Sequence, residues 1–327
     1  MSDHFQSSTL SQSARLAKIT GVDIHVKNDN TLRSGSYKLR GAVNKLLSLS
    51  EAERRSGVVL ASSGNFAVAV SLVCKQMGFK CTAVFPTNTY ATQLKTTARN
   101  GAAVVLEGDT FGAADAHARA LAAGEKLVYL NAHNDADTVA GYGTLGLELL
   151  TQNPYLDAVV LPVGSGSLLA ATAMVLKHVN PRIQVFGVES DVAPTLGPLL
   201  NAHGGMRGAA SATATASAVA AAASASSAPQ TPFAILQHNL TEVWQVSESQ
   251  RASGILTMME VEKSVVQGSG VGAIAALLSS PALQKRFAGK AVAAVCTGGN
   301  IEVRCGVAET SQSIVPTRDF FQQQGDS

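Results

Sequence analysis

The chain has 327 residues, of which 46% are hydrophobic and 15% are charged, and its formal net charge is +2. This length allows one large domain or two ordinary ones, each with a well-buried core. A near-neutral charge gives no reason to expect nucleic acid or an anionic membrane as a partner, because both require a concentrated basic face. We expect neither as a partner.

The cysteines and the N-terminus bear on the cellular compartment. Cys74, Cys81, Cys296 and Cys305 show no metal-type spacing, so we interpret them as reduced thiols of a cytosolic protein. The first ten residues lack a basic stretch followed by an apolar run, and no apolar window of about 18 residues occurs. We expect a cytoplasmic protein that is neither secreted nor inserted in a membrane.

Short apolar runs alternate with helical patterns along the chain. A first group predicts strands at 22–26, 58–61, 81–85, 104–106 and 127–130, with helices at 38–49, 66–77, 89–100 and 110–123. A second group predicts strands at 158–162, 184–188, 242–246 and 291–296, with helices at 136–150, 167–178, 248–266 and 271–278. Such alternation is typical of βαβ units and therefore of parallel sheets.

The two groups meet near residue 135, which predicts two lobes. We assign residues 1–50 and 135–327 to a large domain and residues 51–134 to a small one. A cleft at the carboxyl ends of parallel strands is the default ligand site in such folds. Residues 209–230 are almost entirely Ala, Ser and Thr without a polar and apolar period, so they form either a surface excursion or an Ala-rich helix over the cleft.

Lys38 stands at the start of the first predicted helix, directly behind the small-residue stretch 34–36. The positive end of a helix is an unfavourable place for a cation. An amine that spends time neutral can attack a carbonyl carbon to form a Schiff base. The alternative is an exposed surface lysine, which is the usual state of this residue type.

The turn Gly164-Ser165-Gly166-Ser167 lies between an apolar strand and a helix. Successive backbone N–H groups of such a turn form an anion cradle, and small side chains let phosphate oxygens approach the main chain. With Glu189 at the end of the next strand, the passage also imitates a dinucleotide fingerprint, although the third glycine is absent. We interpret it as a phosphate-type site, with nicotinamide binding and an unliganded turn as alternatives.

Two further small-residue turns come directly after predicted strands. The stretch SSGN at 62–65 can hold a carboxylate on its hydroxyl and N–H groups, or it is an ordinary helix N-cap. The stretch CTGGN at 296–300 carries one hydroxyl and on its own indicates only a turn. The chain contains no nucleophile elbow of a serine hydrolase and no phosphate loop of a nucleotide triphosphatase.

In their order, these stretches resemble the fold-type II pyridoxal-phosphate enzymes, and within them the serine/threonine dehydratase and serine racemase branch. The stretches that carry the resemblance are SYKLRGA at 36–42, SSGN at 62–65, GSGS at 164–167 and GGN at 298–300. The likeness covers roughly residues 9–304. It implies an α/β fold of the tryptophan synthase β type, in which two open twisted parallel-sheet lobes enclose the cofactor cleft, and it implies a homodimer.

The resemblance also implies roles for single residues. Lys38 would form the Schiff base with pyridoxal 5'-phosphate, Tyr37 would lie against the cofactor ring, and Asn65 would bind its phenolic oxygen. The remaining cofactor contacts would be Gly164, Ser165, Gly166, Ser167, Leu168 and Thr297. The substrate carboxylate would bind to Ser62, Ser63, Gly64 and Asn65.

The reaction implied is elimination from a small β-hydroxy amino acid such as L-threonine or L-serine, which gives a 2-oxo acid and ammonia. Thr297 would face the pyridine nitrogen, and a hydroxyl there suits elimination better than chemistry that needs a long-lived carbanion. Ser63 would be a second catalytic residue beside Lys38, because racemases of this branch use a serine there as acid and base. An amino-acid racemase and a homologue with impaired catalysis are therefore alternatives.

Several positions depart from the family pattern. Phe66 stands where the family usually has His, and Gln267 stands where an acidic residue is common. Ser165 and Ser167 replace two glycines of the phosphate loop. The tract at 209–230 lies where the family brings an Ala-Asp-Gly turn to the cofactor, so the substrate or the level of activity is expected to be unusual.

Acidic residues provide only weak candidates for a metal site. The divalent-cation site of the branch would use Glu189 and the carbonyl of Ala193, but Thr195 stands where an acidic ligand would be needed. Asp135 and Asp137 suggest a metal site by their spacing, yet they also fit the start of a helix. We predict no bound metal.

Overall fold

The computed structural model describes residues 7–194, 196–202 and 232–302, so the tract at 209–230, Thr195 and Cys305 lie outside the described residues. The strands are β1 Leu10–Gln12, β2 Asp23–Asn28, β3 Val58–Ala61, β4 Cys81–Phe85, β5 Ala103–Leu106, β6 Val128–Leu130, β7 Ala158–Pro162, β8 Gln184–Ser190, β9 Glu242–Val246 and β10 Ala291–Cys296. They form a large sheet in the order β1-β2-β10-β7-β8-β9 and a small sheet in the order β5-β4-β3-β6.

The helices alternate with these strands and are numbered as they occur in the described part of the chain. They are α1 Ala14–Thr20, α2 Lys38–Ser48, α3 Glu51–Ser56, α4 Asn65–Met77, α5 Ala91–Arg99, α6 Phe111–Glu125, α7 Ala136–Gln152, α8 Ser167–Val179, α9 Leu196–Ala202, α10 Pro232–Asn239, α11 Glu248–Val261, α12 Gly272–Ser279 and α13 Pro281–Arg286. None of these helices combines the length and the apolar character that crossing a membrane requires.

Both sheets are parallel except at one edge. In the large sheet, β10 pairs in parallel with β2 and β7, and the short β1 pairs antiparallel with β2. Burial on both faces explains why β7 and β10 consist almost entirely of Ala, Val and Leu. The predicted α/β class with two parallel-sheet lobes is confirmed.

The cores form where helices cover the sheets. On one side of the large sheet, the Phe186 ring stacks on the Trp244 ring with centroids 4.5 Å apart and meets Phe287 edge-on. A separate apolar cluster covers the small sheet and includes Leu60 and Phe85, both fully buried. Each sheet therefore has a core of its own, and α2 packs between them against α4 and α7.

Some helix boundaries differ from the prediction because local capping decides them. The helix predicted at 248–266 ends at Val261, and Lys263 comes two residues later with a left-handed φ of 54°. It begins with a capping box in which Ser247 and Gln250 satisfy each other's backbone N–H groups. The polar helix α3 was not predicted, since it buries none of its residues and shows no apolar period.

Candidate active site

Lys38 is the first residue of α2, and its side chain is buried. Its Nζ donates a hydrogen bond to the Tyr142 hydroxyl at 3.4 Å. The same Nζ lies 4.8 Å from the ring centroid of Tyr37, 5.1 Å from that of Tyr142 and 5.9 Å from that of Phe66. The alternative of an exposed surface lysine is therefore wrong, and the amine lies in a box of three aromatic rings.

The loop before Lys38 is fixed to the loop after β10. The Tyr37 N–H donates to the Thr297 carbonyl at 2.9 Å, and the Gly299 N–H donates to the Gly35 carbonyl at 2.8 Å. Gly35 has a left-handed φ of 73°, and a Cβ there would overlap the Asn300 amide. Glycine is thus required at this turn, which brings Lys38 and Thr297 together from opposite ends of the chain.

A buried charge cluster anchors α2 two residues after Lys38. Arg40 donates from Nε to one Asp29 oxygen and from Nη2 to the other, both at 2.7 Å, and from Nη1 to Glu148 at 2.7 Å. Lys27 Nζ also donates to Glu148, at 2.6 Å. Although burial acts to raise it, the neighbouring Arg40 and Lys27 hold the pKa of Glu148 below its ordinary value. In the sequence, this cluster is indicated only by charged residues that lie within predicted strands and helices.

The turn Gly164–Ser167 is exposed at its first two residues and stands directly before α8. Gly166 has a left-handed φ of 81° and directly precedes α8, so the first N–H groups of that helix have no intrahelical acceptor. Gly164 and Ser165 are exposed, and a Cβ at Gly164 would meet no atom of the described residues within 4 Å. The Ser167 hydroxyl donates to the His133 carbonyl at 2.8 Å, which fixes the turn from behind. The Leu168 side chain belongs to the core, so only its backbone faces the helix start.

The turn Ser62–Asn65 satisfies much of its own hydrogen bonding. The buried Ser62 hydroxyl accepts from the Gly64 N–H at 2.9 Å and from the Ala67 N–H at 3.2 Å, as an ordinary helix start requires. Ser63 is exposed and makes no side-chain hydrogen bond within the described residues. Gly64 has a φ of 147°, and a Cβ there would overlap the Gln93 side chain.

Asn65 belongs to a chain of amide hydrogen bonds that joins the two sheets. Its Nδ2 donates to Gln267 Oε1 at 3.0 Å, and its Oδ1 accepts from Asn300 Nδ2 at 2.8 Å. Asn300 also donates to the Ser34 carbonyl at 2.9 Å. The sequence singled out Asn65 and Gln267 separately, and their contact is a finding of the structure.

Thr297 is buried beside the Lys38 loop, and its backbone is fully used. Its N–H donates to the Gly270 carbonyl at 3.2 Å, and its carbonyl accepts from Tyr37. Its hydroxyl makes no hydrogen bond with the described residues, and neither does the buried hydroxyl of Ser36. The turn thus offers a side-chain donor and acceptor that the described part of the protein leaves free.

Two aromatic residues near Lys38 were missed by sequence reasoning. Tyr142 is fully buried, its hydroxyl donates to the Ala132 carbonyl at 2.9 Å, and burial raises its pKa well above the ordinary value. His133 comes directly after Ala132, and its Nδ1 is enclosed without a partner among the described residues. Burial first, and then the charge of Lys38, lower the pKa of His133 to about 3. The stretch 140–144 that contains Tyr142 fits the resemblance, but neither residue was assigned a role in the site.

The acidic candidates for a metal site are used by the protein itself. Glu189 accepts from the N–H groups of Leu196 at 2.9 Å and Gly197 at 3.2 Å, so it caps the start of α9. Asp135 accepts from the Thr138 N–H at 2.8 Å and also pairs with Lys45. Ala193 is exposed. No group of three potential metal ligands occurs within the residues described, and the absence of a bound metal stays a prediction.

Known proteins with similar sequences point to the same chemistry as the geometry. A family model described as pyridoxal-phosphate dependent enzyme matches residues 1–298. The L-threonine ammonia-lyase of Thermotoga maritima is 35% identical over 296 residues, which cover 90% of this chain and 71% of that protein. The catabolic L-threonine dehydratase of Escherichia coli is 32% identical over 285 residues, which cover 86% of this chain and 84% of the relative.

Solved structures with the same fold include a deaminase and a racemase. The processed threonine deaminase isoform 2 of Solanum lycopersicum superposes with a TM-score of 0.79 at 28% identity, covering 92% of this chain and 86% of its own. The serine racemase of Dictyostelium discoideum superposes with a TM-score of 0.78 at 26% identity, covering 91% and 94%. Both a deaminase and a racemase are thus similar to this chain.

Proposed function

Because the chain belongs to the family of pyridoxal-phosphate dependent enzymes, we propose that it is a lyase acting on a small β-hydroxy amino acid of the L-threonine or L-serine kind. The products are a 2-oxo acid and ammonia. The observation that carries the proposal is the buried Lys38 amine, which lies in a box of aromatic rings on a loop that is hydrogen-bonded to the Thr297 turn. Relatives named as L-threonine ammonia-lyase and dehydratase, at 35% and 32% identity, support it.

The residues present fit pyridoxal phosphate, the cofactor of this family. Lys38 makes no ion pair with a described carboxylate, the Thr297 hydroxyl has no hydrogen-bond partner among the described residues, and the turn at 164–167 stands at the N-terminus of α8. We propose that Lys38 holds the aldehyde end and that Thr297 faces the ring nitrogen. The phosphate would bind to Gly164, Ser165, Gly166, Ser167 and the Leu168 backbone.

The remaining contacts depend on the same arrangement. Tyr37 lies edge-on to Tyr142 with ring centroids 5.1 Å apart, so it forms a wall for the cofactor ring and keeps water from the Lys38 amine. Asn65 keeps one amide hydrogen beyond its bond to Gln267, and that hydrogen is available to the phenolic oxygen. The turn Ser62–Asn65 would bind the substrate carboxylate through its hydroxyl and N–H groups.

When bound, pyridoxal phosphate supplies an electron-accepting ring that stabilises negative charge at the substrate α-carbon. Lys38 Nζ would remove the α-proton as general base, since it is the one amine that the described residues place at the aromatic box. By binding the substrate carboxylate, the turn Ser62–Asn65 would fix the substrate α-carbon relative to the Lys38 amine. Tyr37 and Phe66 would exclude water while the proton is held on Nζ.

A second candidate function is amino-acid racemisation. The observation that favours it is Ser63, whose exposed hydroxyl has no hydrogen-bond partner among the described residues and therefore remains available as acid and base. Similarity to the serine racemase of Dictyostelium discoideum supports the same function. Racemisation and elimination both begin with proton removal by Lys38, and they differ in whether the α-carbon then regains a proton or the β-hydroxyl leaves.

The decisive experiment incubates purified protein and pyridoxal phosphate with L-threonine and L-serine. We expect release of the 2-oxo acids, and borohydride reduction should attach the cofactor to the peptide that contains Lys38, but not in Lys38→Ala. Production of D-serine without pyruvate would favour the racemase. Attachment to Lys38 without either product would indicate a homologue with impaired catalysis, and no attachment would overturn the proposal.

We propose the same division of labour and assembly as the resemblance implies. Residues 1–50 and 135–327 would form the large cofactor-binding domain and residues 51–134 the small one, which is supported by the small sheet containing only β3 to β6. The protein would act as a cytoplasmic homodimer, and free buried thiols at Cys74, Cys81 and Cys296 support a reducing compartment. Light scattering of the purified protein tests the dimer.

A further inference from the structure

The Tyr142 hydroxyl occupies a defined place between a backbone carbonyl and the Lys38 amine. It donates its only hydrogen to the Ala132 carbonyl at 2.9 Å, so it meets Lys38 Nζ with its lone pairs. The Tyr142 ring is fully buried, and a Cβ on Gly41 of α2 would overlap it. Neither the ring nor the hydroxyl therefore has room to turn away from Lys38.

We propose that Tyr142 is a positioning residue for Lys38, which orients the amine through its hydroxyl for proton removal from the substrate. This inference rests on the proposed function, because it assumes that Lys38 is the reacting amine. Burial keeps the hydroxyl protonated, since it raises the pKa of Tyr142. The hydroxyl is thus an acceptor for the ammonium group, whereas a tyrosinate would compete for its proton.

The surroundings of Lys38 explain why this acceptor matters. The other groups near Nζ are the rings of Tyr37 and Phe66, which attract a cation but provide no directional acceptor. His133 provides no protonated imidazole beside Lys38, because its lowered pKa keeps the ring neutral over most of the pH range. Within the described residues, Tyr142 is therefore the one side chain that accepts a hydrogen bond from Nζ.

The experiment compares Tyr142→Phe with Tyr129→Phe, both in the full-length chain without cofactor. Lys38 is labelled with acetic anhydride at neutral pH and quantified by mass spectrometry against the exposed Lys290. We expect Lys38 to react roughly 10-fold faster in Tyr142→Phe, because the hydrogen bond that holds the amine against the Tyr142 hydroxyl is lost. Tyr129→Phe deletes the same atom, but its hydroxyl bonds to Asp115 and lies outside the aromatic box, so Lys38 labelling should not change.

The cofactor-loaded variants provide the second measurement. In Tyr142→Phe, kcat should fall roughly 10-fold while KM changes less than about 2-fold, because the hydroxyl contacts the amine and not the substrate. Wild-type values for both Lys38 labelling and kcat would overturn the inference. Failure of borohydride to attach the cofactor to Lys38 in the wild type would instead overturn the proposed function, so the two failures are distinguishable.

A folding defect is recognised through Lys27, which is fully buried in the charge cluster and should stay unlabelled in folded protein. If Lys27 becomes labelled in Tyr142→Phe, the experiment uses a different protein in place of that variant. This protein is the wild-type chain in which all five tyrosines are 3-fluorotyrosine. Fluorine weakens the hydroxyl as an acceptor without removing an atom, so Lys38 labelling should rise 2-fold to 3-fold, roughly. Unchanged labelling of Lys38 in this protein would overturn the inference.

Discussion

The turns Gly164–Ser167 and Ser62–Asn65 differ in how the protein itself holds them. The first is fixed from behind by Ser167 and has Gly164 and Ser165 exposed, and we call it the open turn. The turn Ser62–Asn65 binds its own backbone through Ser62 and the large sheet through Asn65. A preformed open turn binds an anion with little ordering cost, whereas a turn with internal bonds admits only a ligand that matches or replaces them. We infer that the first provides affinity and the second provides selectivity.

The largest expected effect comes from closing the open turn with Gly166→Val. A left-handed φ of 81° strains any β-branched residue, and the new Cβ lies 3.4 Å from Leu236. Cofactor affinity should fall roughly 100-fold, or about 2.7 kcal/mol, as measured by fluorescence titration. Gly289→Val is the matched control, because its φ is 70° and nothing lies within 4 Å of its Cβ. Equal losses of affinity in both variants would contradict the role of the turn.

The second effect is expected at His133, whose carbonyl binds Ser167 of the open turn, and it concerns the free energy of unfolding. In the folded protein the pKa of His133 is lowered from 6.5 to about 3. Unfolded chains therefore bind a proton that folded chains do not, and stability is lost as the pH falls from 6.5 towards 3. His133→Gln should remove up to roughly 1.4 kcal/mol of this loss per pH unit, measured by urea unfolding at neutral pH and near pH 5. Parallel pH dependences of the two proteins would exclude this explanation.

The adjacent residues Ser62 and Ser63 test how far the turn Ser62–Asn65 is held by its own hydrogen bonds. Ser62→Ala leaves two buried N–H groups without their acceptor and should cost about 1–2 kcal/mol in the free energy of unfolding. Ser63→Ala removes an exposed hydroxyl without a described partner and should cost less than about 0.5 kcal/mol. Urea unfolding of both variants measures the difference, and similar costs would show that the turn is not held by Ser62.

The smallest effect is expected where the second turn meets the large sheet. Gln267→Ala removes the acceptor of the Asn65 amide and should cost about 1 kcal/mol, with a several-fold rise in the substrate KM. Ser269→Ala removes the other hydrogen bond of Gln267 and leaves the Asn65 contact in place. Steady-state kinetics on both variants separates the two contacts. A larger KM change in Ser269→Ala would argue against the bridge from Asn65.

Most strands were predicted well because a strand that is buried on both faces consists of a continuous apolar run. The bounds of β3, β4, β7 and β10 match the predicted runs residue by residue, and these strands are almost fully buried. In contrast, β1 has only three residues and shows little burial, so its pairing with β2 depends on a partner that local periodicity does not reveal. An element that buries no apolar face shows no hydrophobic periodicity in the sequence, so it cannot be predicted from that signal.

The site was predicted to the level of its turns but not of its contacts. Lys38, Ser62 and Gly164 were recognisable because each stands in a small-residue turn at a helix start. The bond between Lys38 and Tyr142 joins residues 104 positions apart, and that between Asn65 and Gln267 joins residues 202 positions apart. A single sequence carries no record of such pairs, and Tyr142 looks like an ordinary core residue of α7.

The charge cluster around Arg40 ties the helix of Lys38 to the large sheet more strongly than any described contact ties the turn Ser62–Asn65 to it. Arg40 fixes the helix of Lys38 to Asp29 and Glu148 of the large lobe through buried ion pairs, and breaking them would leave uncompensated charges. The contacts of Asn65 with Gln267 and Asn300 are only neutral amide bonds. Separating the two sheets would therefore break neutral amide bonds before buried ion pairs, and Lys38 would stay with the large sheet.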